Sequence, residues 1–424
     1  MTVWNSDPFP VMEPANGLDR SHNPEPQLTD FAATRAQFHL PDGVVYLDGN
    51  SLGPLPKTAT DRVAQVMRDE WGELLITGWN RAGWMEMPRR VGDRIGRLIG
   101  APEGSVVMGD TLSVKVYQAL AAAIEMRPDR RVILSDSGNF PSDLYMAQGL
   151  IGMLGSDYEL RIVAPDKVAE AITDDVAVLM LTEVDYGTGR LHDMKALSEL
   201  AHSVGAITVW DLAHTAGALP VDLTAAGADF AVGCTYKYLN GGPGAPAFIY
   251  VAPRHAPHVR PALAGWLGHD APFAFEQRYR AGQGIDRMRV GTPPILQMVA
   301  LEAALDVWDD IDLADIRARS IELSQRFLAG VEAACPDLKL ASPRDPKARG
   351  SQVSFRFADG YAAMQALIAN GVIGDFRAPD IMRFGITPLY LNETDIDQAV
   401  ETLSRIMENR LWDTPVFKKR AAVT

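Results

Sequence analysis

The chain has 424 residues, 47% of them hydrophobic, and carries a formal net charge of −14. The apolar fraction is that of a globular protein rather than a disordered or fibrous one, and the length suggests two domains or three. The acidic balance argues against a nucleic-acid partner, whose phosphates demand clustered Lys and Arg, and the lone basic run, Lys418-Lys419-Arg420, is too short to alter that.

In chain order, residues 1–45 read as an irregular arm, because the first thirty are rich in Pro, Asn and Asp and lack periodicity. The start shows no basic-then-apolar leader, and no apolar run reaches the roughly 20 residues that span a bilayer. Two cysteines, Cys234 and Cys335, cannot form a disulfide scaffold in a chain this size, so a reducing, cytoplasmic setting is expected. From residue 46 to about 300, short apolar runs alternate with longer amphipathic segments. The runs at 106–108, 131–134, 176–181, 206–210, 230–234 and 247–251 are expected as strands. Several are apolar on successive positions, as strands buried on both faces should be. This rhythm predicts a large α/β domain with a mainly parallel sheet. A helical stretch at 295–334, broken near 309–312, opens a smaller α+β domain over 301–424. Its expected strands lie at 351–357 and 382–386, and its further helices at 361–370 and 393–408. No internal repeat stands out.

The densest chemistry lies at 206–244. Asp211 falls at the end of an apolar strand, where ligands gather in parallel sheets. His214 follows, and Lys237 closes the next apolar run before a glycine-rich turn. A lysine so placed is costly to bury. Pyridoxal phosphate (PLP) chemistry needs both residue types, a lysine that bonds the cofactor and an acid that keeps its pyridine nitrogen protonated. The phosphate would need backbone N–H donors at helix starts, and Leu112 and Ser113 open one such helix. Asn139-Phe140-Pro141-Ser142-Asp143 occupies the equivalent place after the next strand, with Phe140 able to stack on a ring.

Six motifs carry a resemblance. They are YLDGNSLGPLP at 46–56, NFPSDLY at 139–145, VWDLAHTAGALPVDL at 209–223, CTYKYLNGGPG at 234–244, GWLGH at 265–269 and GTPPI at 291–295. From about residue 40 to 412 the chain resembles the kynureninases, PLP enzymes of the aspartate-aminotransferase fold type. The resemblance implies hydrolytic cleavage of L-kynurenine to anthranilate and L-alanine in tryptophan degradation or NAD biosynthesis. It implies Lys237 as the cofactor lysine, Asp211 as the pyridine partner and Tyr236 as a further acid–base. Leu112, Ser113, Phe140, Pro141, Ser142, Asp143, Thr182, His214 and Tyr236 would surround the cofactor. Trp266 and Thr292 would reach it from a neighbouring subunit, which implies a homodimer. Ser51, Trp79, Phe275 and Arg383 would form the substrate side, with Arg383 gripping the α-carboxylate. Trp79 and Thr292 stand where animal relatives have His and Asn, which points to L-kynurenine over its 3-hydroxy derivative. Lys115 replaces a common Asn and is expected to face solvent.

Other chemistries fit less well. A cysteine desulfurase needs an exposed thiolate, and both cysteines sit in apolar contexts. A class V aminotransferase shares the Lys and Asp but not the GNSLG, GWLGH and GTPPI set. His255 and His258 have metal-ligand spacing, but three prolines crowd them and nothing completes a set, so they read as a solvated loop.

Overall fold

The computed structural model describes residues 29–420, so most of the expected N-terminal arm lies outside the described residues. Seven strands form the large sheet: β1 (Val106–Met108), β2 (Val132–Asp136), β3 (Glu159–Val163), β4 (Val176–Thr182), β5 (Ile207–Asp211), β6 (Phe230–Gly233) and β7 (Phe248–Val251). Their order is β1-β7-β6-β5-β4-β2-β3, and β7 alone runs against the rest. Every residue of β4 and β5 is buried, which is why their sequences are apolar without alternation. Helices α3 (Leu112–Glu125) and α4 (Pro141–Leu154) cover one face. Helices α1 (Lys57–Gln65), α2 (Met87–Leu98), α5 (Met194–Ser203) and α6 (Ile295–Leu305) lie on the other side, within the larger core.

Strand β3 was absent from the sequence expectation. It is an edge strand whose Glu159 and Ile162 are exposed, so it lacks the continuous apolar signal of its neighbours. The 295–334 stretch breaks as expected. Helix α6 ends in a tight turn at Asp306–Trp308, and Asp312 caps α7 (Leu313–Ala334) by accepting from the Ala314 N–H at 2.7 Å.

A second, antiparallel sheet has the order β8-β9-β11-β10, from β8 (Lys339–Leu340), β9 (Gln352–Arg356), β10 (Asp375–Arg377) and β11 (Ile381–Gly385). Helices α7, α8 (Gly360–Ala369) and α9 (Glu393–Glu408) pack with it, the last closed by a capping box of Asn392 and Asp395. The segment before the large sheet joins this body: Val45–Tyr46 pairs in parallel with Val372–Ile373, and Thr34 Oγ1 donates to the Leu389 carbonyl at 2.9 Å. It then crosses to the large sheet, where the Gly53 N–H donates to the Tyr236 carbonyl at 2.8 Å. A Cβ on Gly53 would clash with the Lys237 carbonyl oxygen, so only glycine permits that approach. Asn50 and Ser51 are thereby held between the two sheets. Among the described residues, no helix is long and apolar enough to cross a membrane.

Candidate active site

A cavity of about 140 Å³ opens where the C-terminal ends of the large-sheet strands meet the second sheet. Ser51, Leu112, Phe140, Thr182, Asp211, His214, Tyr236, Lys237 and Arg383 line it together, from segments far apart in the chain.

Asp211 is the last residue of β5 and is buried; its Oδ1 accepts from the Ala213 N–H at 2.8 Å, and its Oδ2 lies 3.3 Å from the Thr182 hydroxyl. Thr182 donates more closely to Asn139 Oδ1, at 2.7 Å. Asp143, in the first turn of α4, is buried beside Asp211, and its Oδ2 has no partner. Burial pushes both carboxyls up, Asp143 further because Asp211 repels its charge while Lys237 pulls Asp211 back.

Lys237 does not end a strand. β6 stops at Gly233, and Lys237 lies in the turn beyond it, which Asn240, Gly242 and Gly244 close with left-handed backbone. Its Nζ is 3.0 Å from His214 Nε2, which is also 3.1 Å from the Asn50 carbonyl. Burial, and then the Lys237 charge, hold His214 well below the ordinary imidazole range. The ring is neutral, so Nε2 can accept from Lys237 or donate to Asn50, but not both at once. Cys234 and burial both raise the Tyr236 phenol, which keeps its proton at neutral pH.

Leu112 and Ser113 begin α3, and Pro141 and Ser142 begin α4; neither helix start is capped by its own N-cap side chain. The two serine hydroxyls meet at 2.9 Å, so two helix N-termini with open N–H groups converge there. Phe140 is 40% exposed and stands edge-on to Tyr186, with ring centroids 5.2 Å apart. The features that fit PLP are a buried carboxyl oxygen of Asp143 without a partner beside Asp211, an exposed ring face, paired helix starts for a phosphate and a lysine within reach.

On the opposite wall, Arg383 of β11 is 1% exposed. Its Nε donates to Asp375 Oδ1 at 2.6 Å, its NH2 to Asp375 Oδ2 and to Ser51 Oγ, and its NH1 to the Tyr186 carbonyl at 2.6 Å. Tyr186, Asn50 and Arg377 also line the cavity, and sequence reasoning missed them with Asp375. The register explains the grouping: 375–377 and 381–383 form a hairpin in which Asp375 faces Arg383, and alternation puts Arg377 on the same face as Asp375.

Trp79, Trp266, Phe275 and Thr292 are not brought to this cavity within one chain. Trp79 is half-buried and edge-on to Trp84, with centroids 5.8 Å apart. Trp266 and Phe275 line a separate open groove of about 420 Å³, and Thr292 is exposed. The GWLGH motif packs there against the residue that precedes GTPPI: a Cβ on Gly265 would clash with the Val290 carbonyl.

Two expectations are corrected. Lys115 does not face solvent; it is fully buried, its Nζ donating to Gln118 Oε1 at 2.9 Å and lying 3.4 Å from Asp110. Burial lowers it to about 8. His255 is no solvated loop residue: its Nε2 meets Asp229 at 2.6 Å and its ring stacks on Phe230. Cys234 and Cys335 are both buried.

The family model described as "Kynureninase C-terminal domain" matches residues 316–403. A kynureninase from Burkholderia pseudomallei is 51% identical over 401 residues, which cover 93% of this chain and 96% of that one. A kynureninase from Pseudomonas fluorescens is 49% identical over the same shares. Among solved structures, a cysteine desulfurase from Escherichia coli matches with a TM-score of 0.75 at 20% identity, covering 90% of this chain and all of that one. A C-DES variant with glycine covalently linked to its PLP cofactor matches with a TM-score of 0.76 at 17% identity, over 87% and 98%. At such identities the solved structures speak to the fold, which is fold type I. The full-length relatives speak to kinship, and by them the chain belongs to the kynureninase family.

Proposed function

We propose that this chain uses PLP to hydrolyse the Cβ–Cγ bond of L-kynurenine, releasing anthranilate and L-alanine. The observation that carries this is the placement of Lys237 Nζ, 3.0 Å from a neutral His214, in one cavity with buried Asp211 and Arg383. The cofactor, when bound, supplies an electron sink for charge developing at the substrate's α-carbon. Asp211 would hold the pyridine nitrogen, its Oδ1 fixed by the Ala213 N–H and its charge favoured by Lys237 against the cost of burial. Ser113, Ser142 and the two helix starts hold the phosphate.

Lys237 would hold the cofactor at rest and, with its amine free, would take the substrate's α-proton as general base. His214 Nε2, within 3.0 Å of Lys237, can accept from that amine in one tautomer, and in the other donates to the Asn50 carbonyl. Tyr236, protonated at neutral pH, can give a proton to the alanyl fragment at Cβ. Arg383 and Ser51 receive the α-carboxylate.

Trp266 and Thr292 reach the cofactor of a neighbouring protomer, so the working unit is a homodimer in the cytoplasm. Trp79, Phe275 and Thr292 are assigned to the side of the substrate's aromatic ring, with Thr292 coming from the neighbouring protomer. Trp79 offers an apolar face, and Thr292 gives a ring hydroxyl less reach than Asn, so L-kynurenine is preferred over 3-hydroxykynurenine. A class V aminotransferase would use the same Lys and Asp, but the full-length kinship lies with kynureninases. Incubating PLP-loaded protein with each substrate and following anthranilate or 3-hydroxyanthranilate tests both points. Cleavage of neither refutes the activity, and equal or higher efficiency on 3-hydroxykynurenine refutes the preference.

A further inference from the structure

Lys115 stands where a cation is costly on two counts. It lies in the first turns of α3 with its side chain fully buried, and burying an ammonium is unfavourable. Its side chain also runs back past the helix start, so that a Cβ on Gly109 would meet Nζ at 3.8 Å. Positive charge is thereby brought to the positive end of the helix dipole.

Three oxygens face the ammonium. Nζ donates to Gln118 Oε1 at 2.9 Å and to the Met288 carbonyl at 3.3 Å, and lies 3.4 Å from Asp110 Oδ2. The Met288 carbonyl also accepts from Gln118 Nε2 at 3.3 Å, so that tie does not depend on Lys115. What depends on it is Asp110. Among the described residues, no other cation pairs with that carboxylate. Its pull opposes the lowering by burial, so Lys115 keeps most of its charge at pH 7. Asp110 lies two residues before Leu112, on left-handed backbone with φ 58°, and its side chain is 33% exposed. Its charge suits the helix dipole, but it would repel a phosphate dianion bound at the same helix start.

We propose that Lys115 is a positioning residue for the cofactor's phosphate that acts through Asp110, cancelling the carboxylate's charge at the start of α3. The dianion then meets the open N–H groups of Leu112 and Ser113 without an unbalanced anion beside them. This rests on the phosphate placement proposed above and on no particular substrate.

The test titrates full-length protein, stripped of cofactor, with PLP and with pyridoxal, which lacks the phosphate. Binding is read at pH 7 from the absorbance of the lysine-bound cofactor. Lys115→Met keeps the volume and removes the charge. It should weaken PLP by roughly fivefold to thirtyfold, the effect of one unbalanced charge on a dianion across a partly screened gap, and leave pyridoxal within about twofold of wild type. Adding Asp110→Asn to that variant should bring PLP back to within about threefold, since Asn carries no charge and tolerates left-handed backbone. Equal losses for PLP and pyridoxal, or no recovery in the double variant, would overturn the proposal. Should Lys115→Met fail to fold, Asp110→Asn alone reads the same balance. PLP should then bind as tightly as in wild type or more so, and a loss confined to PLP would count decisively against the role of Lys115. A wild type that binds PLP no better than pyridoxal would refute the phosphate placement itself, and this proposal with it.

Discussion

Lys237→Ala removes the amine that faces His214 across 3.0 Å, so turnover and the yellow absorbance of the lysine-bound cofactor should disappear together, as spectra and an anthranilate assay will show. Full activity without the band would refute the role given to Lys237. Asp48 brings a pH dependence to the opposite wall. Burial and the charge of Asp375 push its carboxyl up to about 7, against the pull of Ser51, Arg383 and Arg377. Below that pH Asp48 is neutral, and the two arginines outweigh Asp375 by one charge; above it the cluster is neutral and attracts an α-carboxylate less. KM for kynurenine should therefore rise as pH climbs through about 7, and Asp48→Asn should flatten the rise. For stability the sign agrees: a folded value above the unfolded ~3.9 favours the fold in acid and costs it as pH rises between the two. A KM profile identical in the Asn variant would count against Asp48. Asp211, His214 and Lys237 were legible from sequence because each lies at or just beyond the end of an apolar strand. Arg377 and Asp375 were not, because their importance comes from a hairpin register that composition does not reveal.

Elements whose two faces are both buried announced themselves. β4, buried at every position, was readable as an unbroken apolar run, and α9 was readable to its ends because Asn392 opens it. Asn392→Ala removes one half of the capping box and should cost about 1 kcal/mol, measurable by urea unfolding, with turnover unaffected. A loss near zero would mean that Asp395 and its pair with Arg35 hold the helix start alone. β3 escaped notice for the opposite reason: as an edge strand it trades apolar continuity for charge. Two close backbone approaches, at Gly53 and Gly265, were visible as motif glycines without a visible cause, since the Lys237 and Val290 carbonyls they meet lie outside their own motifs.

For the molecule as a whole, the groove at Trp266 and Phe275 sets the expectation of a shared site. Phe273 and Phe275 are 63% and 81% exposed there, a large apolar surface for a lone chain. If Trp266 completes a neighbour's site, then mixing inactive Lys237→Ala with inactive Trp266→Ala protein, with subunit exchange, should restore activity. Half of the dimers would be mixed and one of their two sites intact, so recovery should approach about a quarter of wild type. No recovery after exchange, verified by mass spectrometry of the dimers, would place Trp266 within its own chain's function. Sequence reasoning reached this scale through the GWLGH and GTPPI motifs, and could not show that Gly265 packs against Val290, just before the second motif.

The stitching of the first described segment onto the last sheet has a consequence for how the protein is born. Ser51 and Arg383 are 332 residues apart in the chain, yet they meet at 2.9 Å. Synthesis at roughly 5–20 residues per second would take on the order of 20–70 s to cover that separation. The large sheet, complete by Val251, can form on the ribosome well before Val45–Tyr46 has its partner strand. During that interval the cofactor-facing half of the pocket can exist without its substrate wall, and the 46–56 segment must wait undocked. Nascent chains stalled near residue 300 should accordingly retain the protease-resistant sheet while leaving the 46–56 segment open to cleavage, a pattern that limited proteolysis of the stalled ribosome complexes would reveal.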